Sequence, residues 1–238
     1  MSIAPDNETA QGMTRVVVID DHPLIRKALS QLFGTTSDFV LVGEAASGTE
    51  GRAAVLALSP DLVVLDLDLG REAEYGVNTL RALRDSDFDG RIVILTVSDS
   101  PEDLAAAIRA GADGYLLKDV APEDLLACFR DAVAGRTAIS SGLAGVLASA
   151  IRSDAGGAVR RMDRLTDRER DILALLTLGP SNKLIAIELD IAEGTVKVHL
   201  KSMLKKLGFR SRLEAAVWAI EQGVKAAPLG TKRIRRPV

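Results

Sequence analysis

Residues 62–68 read Leu-Val-Val-Leu-Asp-Leu-Asp, an apolar run that ends in the carboxylate of Asp66. Ser-Pro-Asp at 59–61 precedes the run and Gly70 follows it, and so short a run between turn signals favours a strand. A strand that is apolar at every position is typical of a parallel sheet covered on both faces. Open α/β sheets bind ligands at the carboxyl ends of their strands, which makes Asp66 a candidate site residue.

The surrounding sequence alternates apolar runs with helical patterns five times. The predicted strands are 16–20, 39–45, 62–66, 92–96 and 114–117. The predicted helices are 23–33, 48–58, 77–84, 101–110 and 122–134. Strict alternation implies right-handed crossovers, so we expect an α/β fold with a doubly wound, five-stranded parallel sheet in the flavodoxin-like order 2-1-3-4-5.

Polar residues end four of these strands and should therefore meet at one edge of the sheet. The first strand ends in Asp20 and Asp21, the third in Asp66, the fourth in Thr96 and the fifth in Lys118. Three close carboxylates repel one another unless a cation lies among them, and Mg²⁺ is the ion that fits best. The hydroxyl and the ammonium can bind a second, incoming anion, for which a phosphoryl group is the natural candidate.

The motifs that carry these residues resemble the response-regulator receiver family over residues 14–136. They are Val-Val-Ile-Asp-Asp-His-Pro at 17–23, the run at 62–67, Ile-Leu-Thr at 94–96 and Gly-Ala-Asp-Gly-Tyr-Leu-Leu-Lys-Asp at 111–119. The resemblance implies that a sensor histidine kinase phosphorylates Asp66. It further implies that Thr96 and Lys118 contact the phosphoryl group and that Tyr115 moves inward as a switch. The implied Mg²⁺ ligands are Asp20, Asp21, Asp66 and the backbone carbonyl of Asp68.

The loop after Asp66 departs from the receiver pattern. Gly70 stands where the family usually has proline, and Gly76 comes ten residues after the acceptor rather than eight. The longer loop leaves open a regulator that works without phosphorylation. An aspartate-nucleophile phosphatase is a further alternative, because Asp66-Leu67-Asp68 resembles the haloacid-dehalogenase motif. That family, however, opens its chain with the motif, so we do not expect an enzyme.

A second module has the pattern of a helix-turn-helix. Thr166 and Glu169 form the two ends of a predicted capping box, which starts a helix that ends at 179–180. A second helix is predicted at 181–189 and a third at 195–207. The third has an apolar stripe on one face and Lys197, Lys201 and Lys205 on the other, a pattern that suits a recognition helix in a major groove of double-stranded DNA.

This module resembles the DNA-binding domain of the NarL/FixJ (LuxR-type) response regulators. The matching stretches are Leu-Thr-Asp-Arg-Glu-Arg at 165–170, Ser-Asn-Lys at 181–183, Gly-Thr-Val-Lys-Val-His at 194–199 and Ser-Arg-Leu-Glu-Ala-Ala-Val-Trp at 211–218. The resemblance implies a transcription regulator that forms a homodimer on DNA through its last helix. The DNA-binding residues that we expect are Thr195, Lys197, Val198, Lys201 and Lys205.

Charge divides the chain in the same way as the motifs do. Residues 1–159 hold 13 basic and 24 acidic side chains, whereas residues 160–238 hold 17 basic and 9 acidic ones. We expect a receiver domain at 14–136, a junction helix and linker at 137–163, and a DNA-binding domain at 164–225. Opposite charge leads us to expect that the unphosphorylated receiver covers the recognition helix, with Leu184, Ile187 or the junction helix as candidate contacts.

Composition limits the remaining classes. The chain has 238 residues, 47% of them hydrophobic, and no run that approaches eighteen apolar residues. Residues 1–11 lack the apolar segment of a signal peptide. We therefore expect a cytoplasmic protein with no membrane segment.

Overall fold

We describe the fold from a computed structural model, which describes residues 12–70, 76–136, 138–139 and 162–226. Most of the predicted junction helix and linker, and part of the loop after Asp66, lie outside these residues. Among the described residues, no helix is long and apolar enough to cross a membrane.

A parallel sheet forms the centre of the first domain. Its strands are β1 (Thr14–Ile19), β2 (Phe39–Ala45), β3 (Leu62–Leu65), β4 (Arg91–Thr96), β5 (Gly114–Leu117) and β6 (Ala138–Ile139). The strand order is β2-β1-β3-β4-β5-β6, and the five pairings are all parallel. The predicted order of the first five strands is confirmed. The predicted five-stranded parallel sheet is present, and a two-residue strand from the predicted junction, β6, adds to its edge beside β5.

Five helices cover the two faces of this sheet. They are α1 (Pro23–Gly34), α2 (Gly48–Leu58), α3 (Gly76–Asp85), α4 (Pro101–Ala110) and α5 (Pro122–Val133). Alternate residues of each strand enter different cores, so Val17 and Ile19 of β1 pack with α2, α3 and α4 whereas Val16 and Val18 pack with α1 and α5. Burial on both faces explains why these strands are apolar at every position.

Within the described residues, the second domain contains four helices. They are α6 (Asp167–Leu176), α7 (Asn182–Leu189), α8 (Glu193–Leu207) and α9 (Arg212–Glu221). The capping box that starts α6 is present: the Thr166 hydroxyl accepts from the Glu169 amide, and the Glu169 carboxylate accepts from the Thr166 amide. The recognition helix α8 begins at Glu193, two residues before the predicted start.

The two domains contact each other through α4 and α9. Leu213 and Val217 of α9 are buried in the core cluster that also contains Leu104 and Ile108 of α4. Leu184 and Ile187, by contrast, are 45% and 68% exposed. The predicted contact of Leu184 and Ile187 with the receiver is therefore wrong, because the apolar face of α9 packs against the receiver instead.

Candidate functional site

The strand register brings the acidic residues of β1 and β3 together. Ile19 pairs with Leu65, so the residue after each strand, Asp20 and Asp66, lies at the same level of the sheet edge. The Asp66 amide donates to the Ile19 carbonyl at 2.9 Å and so fixes the acceptor's backbone. Both carboxyl residues are only 2% exposed. Asp21 is partly exposed and lies at the rim.

Lys118 reaches both buried carboxylates from the end of β5. Its Nζ lies 2.7 Å from Asp66 Oδ2 and 2.8 Å from Asp20 Oδ2. Burial opposes the charged ammonium, but the hydrogen bonds to Asp20 and Asp66 outweigh burial and raise the pKa of Lys118. The pKa of Asp66 is raised, chiefly because burial disfavours its charged form, and Lys118 opposes that shift.

Asp66 keeps one oxygen for another partner. Its Oδ1 is buried and has no hydrogen-bond partner among the residues that the structure describes. A buried, unpaired carboxylate oxygen is costly unless a ligand fills the position. One ligand atom from each of Asp20, Asp21, His22 and Asp66 lies within 4.8 Å of the others, so this acidic cluster could hold a metal ion. Asp68, the fourth predicted ligand residue, is exposed beside it.

Thr96 and Tyr115 meet at Ser98, a residue that our sequence reasoning missed. The Ser98 amide donates to Thr96 Oγ1 at 3.2 Å, and the Tyr115 hydroxyl donates to the Ser98 carbonyl at 2.9 Å. Burial raises the pKa of Tyr115, so the phenol remains a donor at neutral pH. The Tyr115 side chain is fully buried in this structure.

Ser98 also touches the helix that contacts the second domain. Its hydroxyl lies 2.5 Å from the Asp103 carboxylate in the first turn of α4. Ser98 therefore joins Thr96 and Tyr115 to α4. The sequence signal for this role is weak, since a serine near the end of a strand is also typical of an ordinary turn.

Gly76 is a second residue whose role the sequence did not reveal. A Cβ at this position would lie 2.0 Å from the backbone oxygen of Asp66. The Gly76 amide donates to the Leu67 carbonyl at 2.8 Å. The insertion in the loop therefore comes before Gly76, which packs directly on the backbone of the acceptor.

The lysines of α8 lie on the face opposite its core residues, as the pattern predicts. Val196, Leu200, Met203 and Leu207 are buried, whereas Thr195, Lys197, Val198, Lys201 and Lys205 are exposed. Lys206 points elsewhere, because its Nζ pairs with Glu169 of α6 at 2.7 Å. Bonds from Lys206, Thr166 and Ser202 outweigh burial and lower the pKa of Glu169 to about 2.

The receiver side of the domain boundary places carboxylates beside this basic surface. Lys201 Nζ lies 3.0 Å from Asp89 Oδ2, and Arg210 Nη1 lies 2.6 Å from Asp85 Oδ1. A cleft of about 1150 Å³ between the domains is lined by both groups and by Lys197. Part of the predicted DNA-binding face therefore lies against the receiver.

Comparison with known families agrees with both halves of the chain. Residues 16–130 match the family "Response regulator receiver domain", and residues 163–219 match "Bacterial regulatory proteins, luxR family". The "Nitrate/nitrite response regulator protein NarL" of Escherichia coli K12 is 46% identical over 90% of this chain and 98% of its own. The chain is a LuxR-family response regulator. It is thus a phosphorylation-controlled transcription factor, whose receiver implies a sensor kinase and whose luxR domain implies DNA as partners.

Other members of the family support the same assignment. The "DNA-binding transcriptional activator DevR/DosR" of Mycobacterium tuberculosis is 39% identical over 88% of this chain and 95% of its own. A solved LuxR-family response regulator from Aurantimonas is 31% identical, with a TM-score of 0.54 over 58% of this chain and 96% of that one. These relatives are transcription regulators and not enzymes, so the phosphatase alternative is wrong.

Proposed function

We propose that this response regulator is phosphorylated on Asp66 and that phosphorylation releases its DNA-binding domain from the receiver. The observation that carries the proposal is the arrangement of Asp66, whose Oδ2 is bound by Lys118 while its buried Oδ1 has no partner among the described residues. One oxygen is held by a cation and the other is available for a metal or a phosphoryl group. We place this activity in the cytoplasm, where the DNA lies.

Mg²⁺ is the ion that we propose for this site. Asp20, Asp21 and Asp66 contribute three negative charges and Lys118 one positive charge, and a divalent cation balances the difference. Mg²⁺ binds carboxylates while it keeps several waters, which suits the partly exposed Asp21. The Asp68 backbone carbonyl is the further ligand that we propose. When bound, the ion would offset negative charge on the incoming phosphoryl group.

Thr96 and Lys118 are the groups that we propose to contact the phosphoryl group. Lys118 already lies at Asp66, so a modest movement would turn its ammonium towards phosphoryl oxygens. Thr96 would reach the group with its hydroxyl, which now accepts from the Ser98 amide. Loss of that bond would free Ser98 to change its contacts with Tyr115 and Asp103. This supports α4 as the element through which the signal travels.

Intact-mass measurement tests the acceptor assignment. Treatment with Mg²⁺ and a small acyl phosphate should add one phosphoryl group to the wild-type chain and none to Asp66→Asn. Asp124→Asn, which changes an exposed carboxylate of α5, serves as the matched control and should gain the adduct. An adduct on Asp66→Asn, or none on the wild type, would favour a regulator that works without phosphorylation of Asp66.

The basic face of α8 is the DNA-binding surface that we propose. Lys197, Lys201 and Val198 would face base edges in the major groove, with Thr195 and Lys205 beside them. Because Lys201 also pairs with Asp89, its removal weakens both DNA contact and domain contact. Substitution of Lys197 tests the DNA contact more directly than substitution of Lys201. Lys197→Ala should weaken binding to specific DNA by roughly 1–3 kcal/mol.

The domain contact explains how the unphosphorylated form would be held inactive. Two ion pairs bring receiver carboxylates to Lys201 and Arg210, and α9 buries Leu213 and Val217 against α4. A phosphoryl group adds negative charge and would by itself strengthen these pairs. Release must therefore come from a change in the shape of α4, which the contacts of Ser98 permit.

Dimerisation through α9 is consistent with this arrangement. Part of α9 is now covered by α4, so the homodimer that we propose on DNA would form after the domains separate. The boundaries that we propose are a receiver at 14–136, a junction at 137–163 and a DNA-binding domain at 164–225. The second domain has its own core, which includes Ile172, Val196 and Trp218.

A further inference from the structure

Three arginine side chains meet where the receiver and the DNA-binding domain face each other across the cleft. Arg84 and Arg91 of the receiver share one carboxylate, that of Asp113. Arg84 Nη2 lies 2.5 Å from Asp113 Oδ2, and Arg91 Nη1 lies 3.0 Å from Asp113 Oδ1. The third arginine, Arg212, is the first residue of α9 and is only 6% exposed. The group therefore holds three positive charges and one negative charge.

Among the described residues, Arg212 forms no ion pair. Its guanidinium donates to two neutral oxygens of the second domain, at 2.9 Å to Asn182 Oδ1 and at 2.7 Å to the Pro180 carbonyl. Burial and the nearby charge of Arg91 lower the pKa of Arg212 to about 10, although Asp113 opposes the shift. A buried charge without a counterion is costly, so an anion bound here would be stabilised.

Glycine at position 135 lets the guanidinium groups of Arg91 and Arg212 approach each other. A Cβ there would lie 2.7 Å from Arg212 Nη1 and 3.2 Å from Arg91 Nη2. Because both distances start from one point, the two nitrogens lie no more than about 6 Å apart, a gap that one phosphate group can span. Arg91 Nη2 and Arg212 Nε make no hydrogen bond within the described ranges, so both keep donors for such a group.

Other charges on the described lining of the cleft are balanced or exposed. Its remaining basic side chains each have an acidic partner: Lys197 with Glu193, Lys201 with Asp89, and Arg210 with Asp85. The acidic side chains of Asp61 and Asp87 are exposed to water, which screens them. The first residues of α7 and α9 also line the cleft, and helix N-termini attract anions.

We propose that Arg91 and Arg212 form a site across the two domains for a small molecule that carries a phosphate or diphosphate group. The cleft of about 1150 Å³ leaves room for the rest of such a molecule. Because each domain supplies one arginine, the bound anion holds the domains together and lowers the affinity for DNA. The inference goes beyond the proposed function and does not involve Asp66, so either can fail while the other holds.

Calorimetric titration of the full-length, unphosphorylated protein with sodium diphosphate in the absence of Mg²⁺ tests this site. The wild type should bind one diphosphate. Arg91→Lys and Arg212→Lys keep the positive charge but lose the planar fork that binds two phosphate oxygens, so each should weaken binding by at least about tenfold. At matched ionic strength, diphosphate should also lower the affinity of the wild type for specific DNA by at least about twofold. Tryptophan fluorescence checks that each variant is folded, and either folded variant decides the outcome.

Three further variants separate this site from other surfaces that could bind an anion. Arg81→Gln removes an exposed cation of α3 outside the cleft and should leave the affinity for diphosphate unchanged. Lys205→Ala tests the DNA-binding face and Asp66→Asn tests the phosphorylation site, and both should bind diphosphate as the wild type does. No binding to the wild type, or equal affinity in the wild type and the folded lysine variants, would overturn the proposal. A loss in Lys205→Ala or Asp66→Asn as large as that in Arg91→Lys would also overturn it.

Discussion

Lys201 of the recognition helix lies 3.0 Å from Asp89 of the receiver, so a side chain expected to contact DNA pairs with a carboxylate instead. Arg210 makes a similar pair with Asp85 at 2.6 Å. The carboxylates of Asp85 and Asp89 thus bind basic side chains of the DNA-binding domain, as DNA phosphates would. Lys201 and Asp89 are both largely exposed, so solvent screening leaves their pair with little effect on the domain contact by itself. The buried contact of α9 with α4 must therefore supply most of the free energy that holds the two domains together.

Removing both receiver carboxylates should loosen the closed arrangement. The double variant Asp85→Asn, Asp89→Asn loses two exposed ion pairs between the domains. We expect the unphosphorylated protein to bind specific DNA about two- to fivefold more tightly, as measured by fluorescence anisotropy at fixed salt.

The paired substitution Glu123→Gln, Asp124→Asn controls for the loss of two charges, since both residues are exposed on α5 away from the cleft. The DNA affinity of this variant should match that of the wild type. An unchanged affinity in the double variant would show that these pairs do not restrain the recognition helix.

Lys205 and Lys206 are adjacent in α8 and should respond differently to substitution. Lys206→Ala leaves the buried Glu169 carboxylate without its cation and should lower the free energy of unfolding by about 1.5–3 kcal/mol. Lys205→Ala removes an exposed side chain and should change stability by less than about 0.5 kcal/mol. It should weaken DNA binding and reduce the slope of log affinity against log salt by about 0.9 if it contacts a phosphate.

Urea denaturation followed by fluorescence measures the stability of this pair of variants. Trp218 is the single tryptophan, and it lies buried against Phe209 in the second domain, so its emission reports that domain. Equal losses of stability in the two variants would contradict the different orientations of the two lysines.

Gly76→Ala should disturb the phosphorylation site through the backbone. The added methyl group would lie 2.0 Å from the Asp66 carbonyl oxygen, so the backbone must shift. We expect a loss of about 1–3 kcal/mol in stability and slower formation of the phosphoryl adduct by intact mass. Gly34→Ala is the control, because a Cβ there meets nothing within 4 Å. A Gly76→Ala protein as stable and as readily phosphorylated as the control would contradict this packing.

Glu214 should make stability depend on pH. Burial at the start of α9 raises its pKa to about 7, although Arg210 and Arg109 oppose the shift. Because the pKa is raised on folding, the stabilisation is fully present below the unfolded value near 4.5 and is lost as pH rises through about 7. The change amounts to roughly 2 kcal/mol after allowance for solvent screening.

Urea denaturation at pH 5 and pH 8 measures this effect, with Glu214→Gln as the test variant. The variant should lose less stability between the two pH values than the wild type does. Glu221→Gln is the comparison, since burial also raises the pKa of Glu221 and Arg109 lies near both groups. If Glu214→Gln keeps the full pH dependence, the raised pKa of Glu214 does not control it.

Local patterns were enough to predict the sheet and the position of its polar edge. Strands such as 62–65 are buried on both faces, so their sequences are apolar throughout, and a polar residue at or directly after the end marks four of the strands. The start of α8 was harder to predict, because its N-cap residue, Ala192, supplies no capping side chain. Two-residue β6 has no periodicity at all.

Contacts between distant segments could not be predicted from one sequence. The apolar faces of α7 and α9 each indicate a need for cover, but the pattern does not say which face the receiver covers. Leu213 and Val217 are covered, whereas Leu184 and Ile187 remain exposed. Gly76 is required by the path of a neighbouring backbone, which the sequence does not encode locally.

The most direct test of the account compares the affinity of the full-length protein for specific DNA before and after treatment with acyl phosphate and Mg²⁺. We predict that phosphorylation raises the affinity of the wild type, that Asp66→Asn shows no rise, and that Asp85→Asn, Asp89→Asn starts higher. Lowering the population of the closed form from 99% to 1% needs about 5.5 kcal/mol of differential stabilisation. A smaller shift in population gives a smaller gain in DNA affinity. Equal wild-type affinity with and without the adduct on Asp66 would contradict control of DNA binding by phosphorylation.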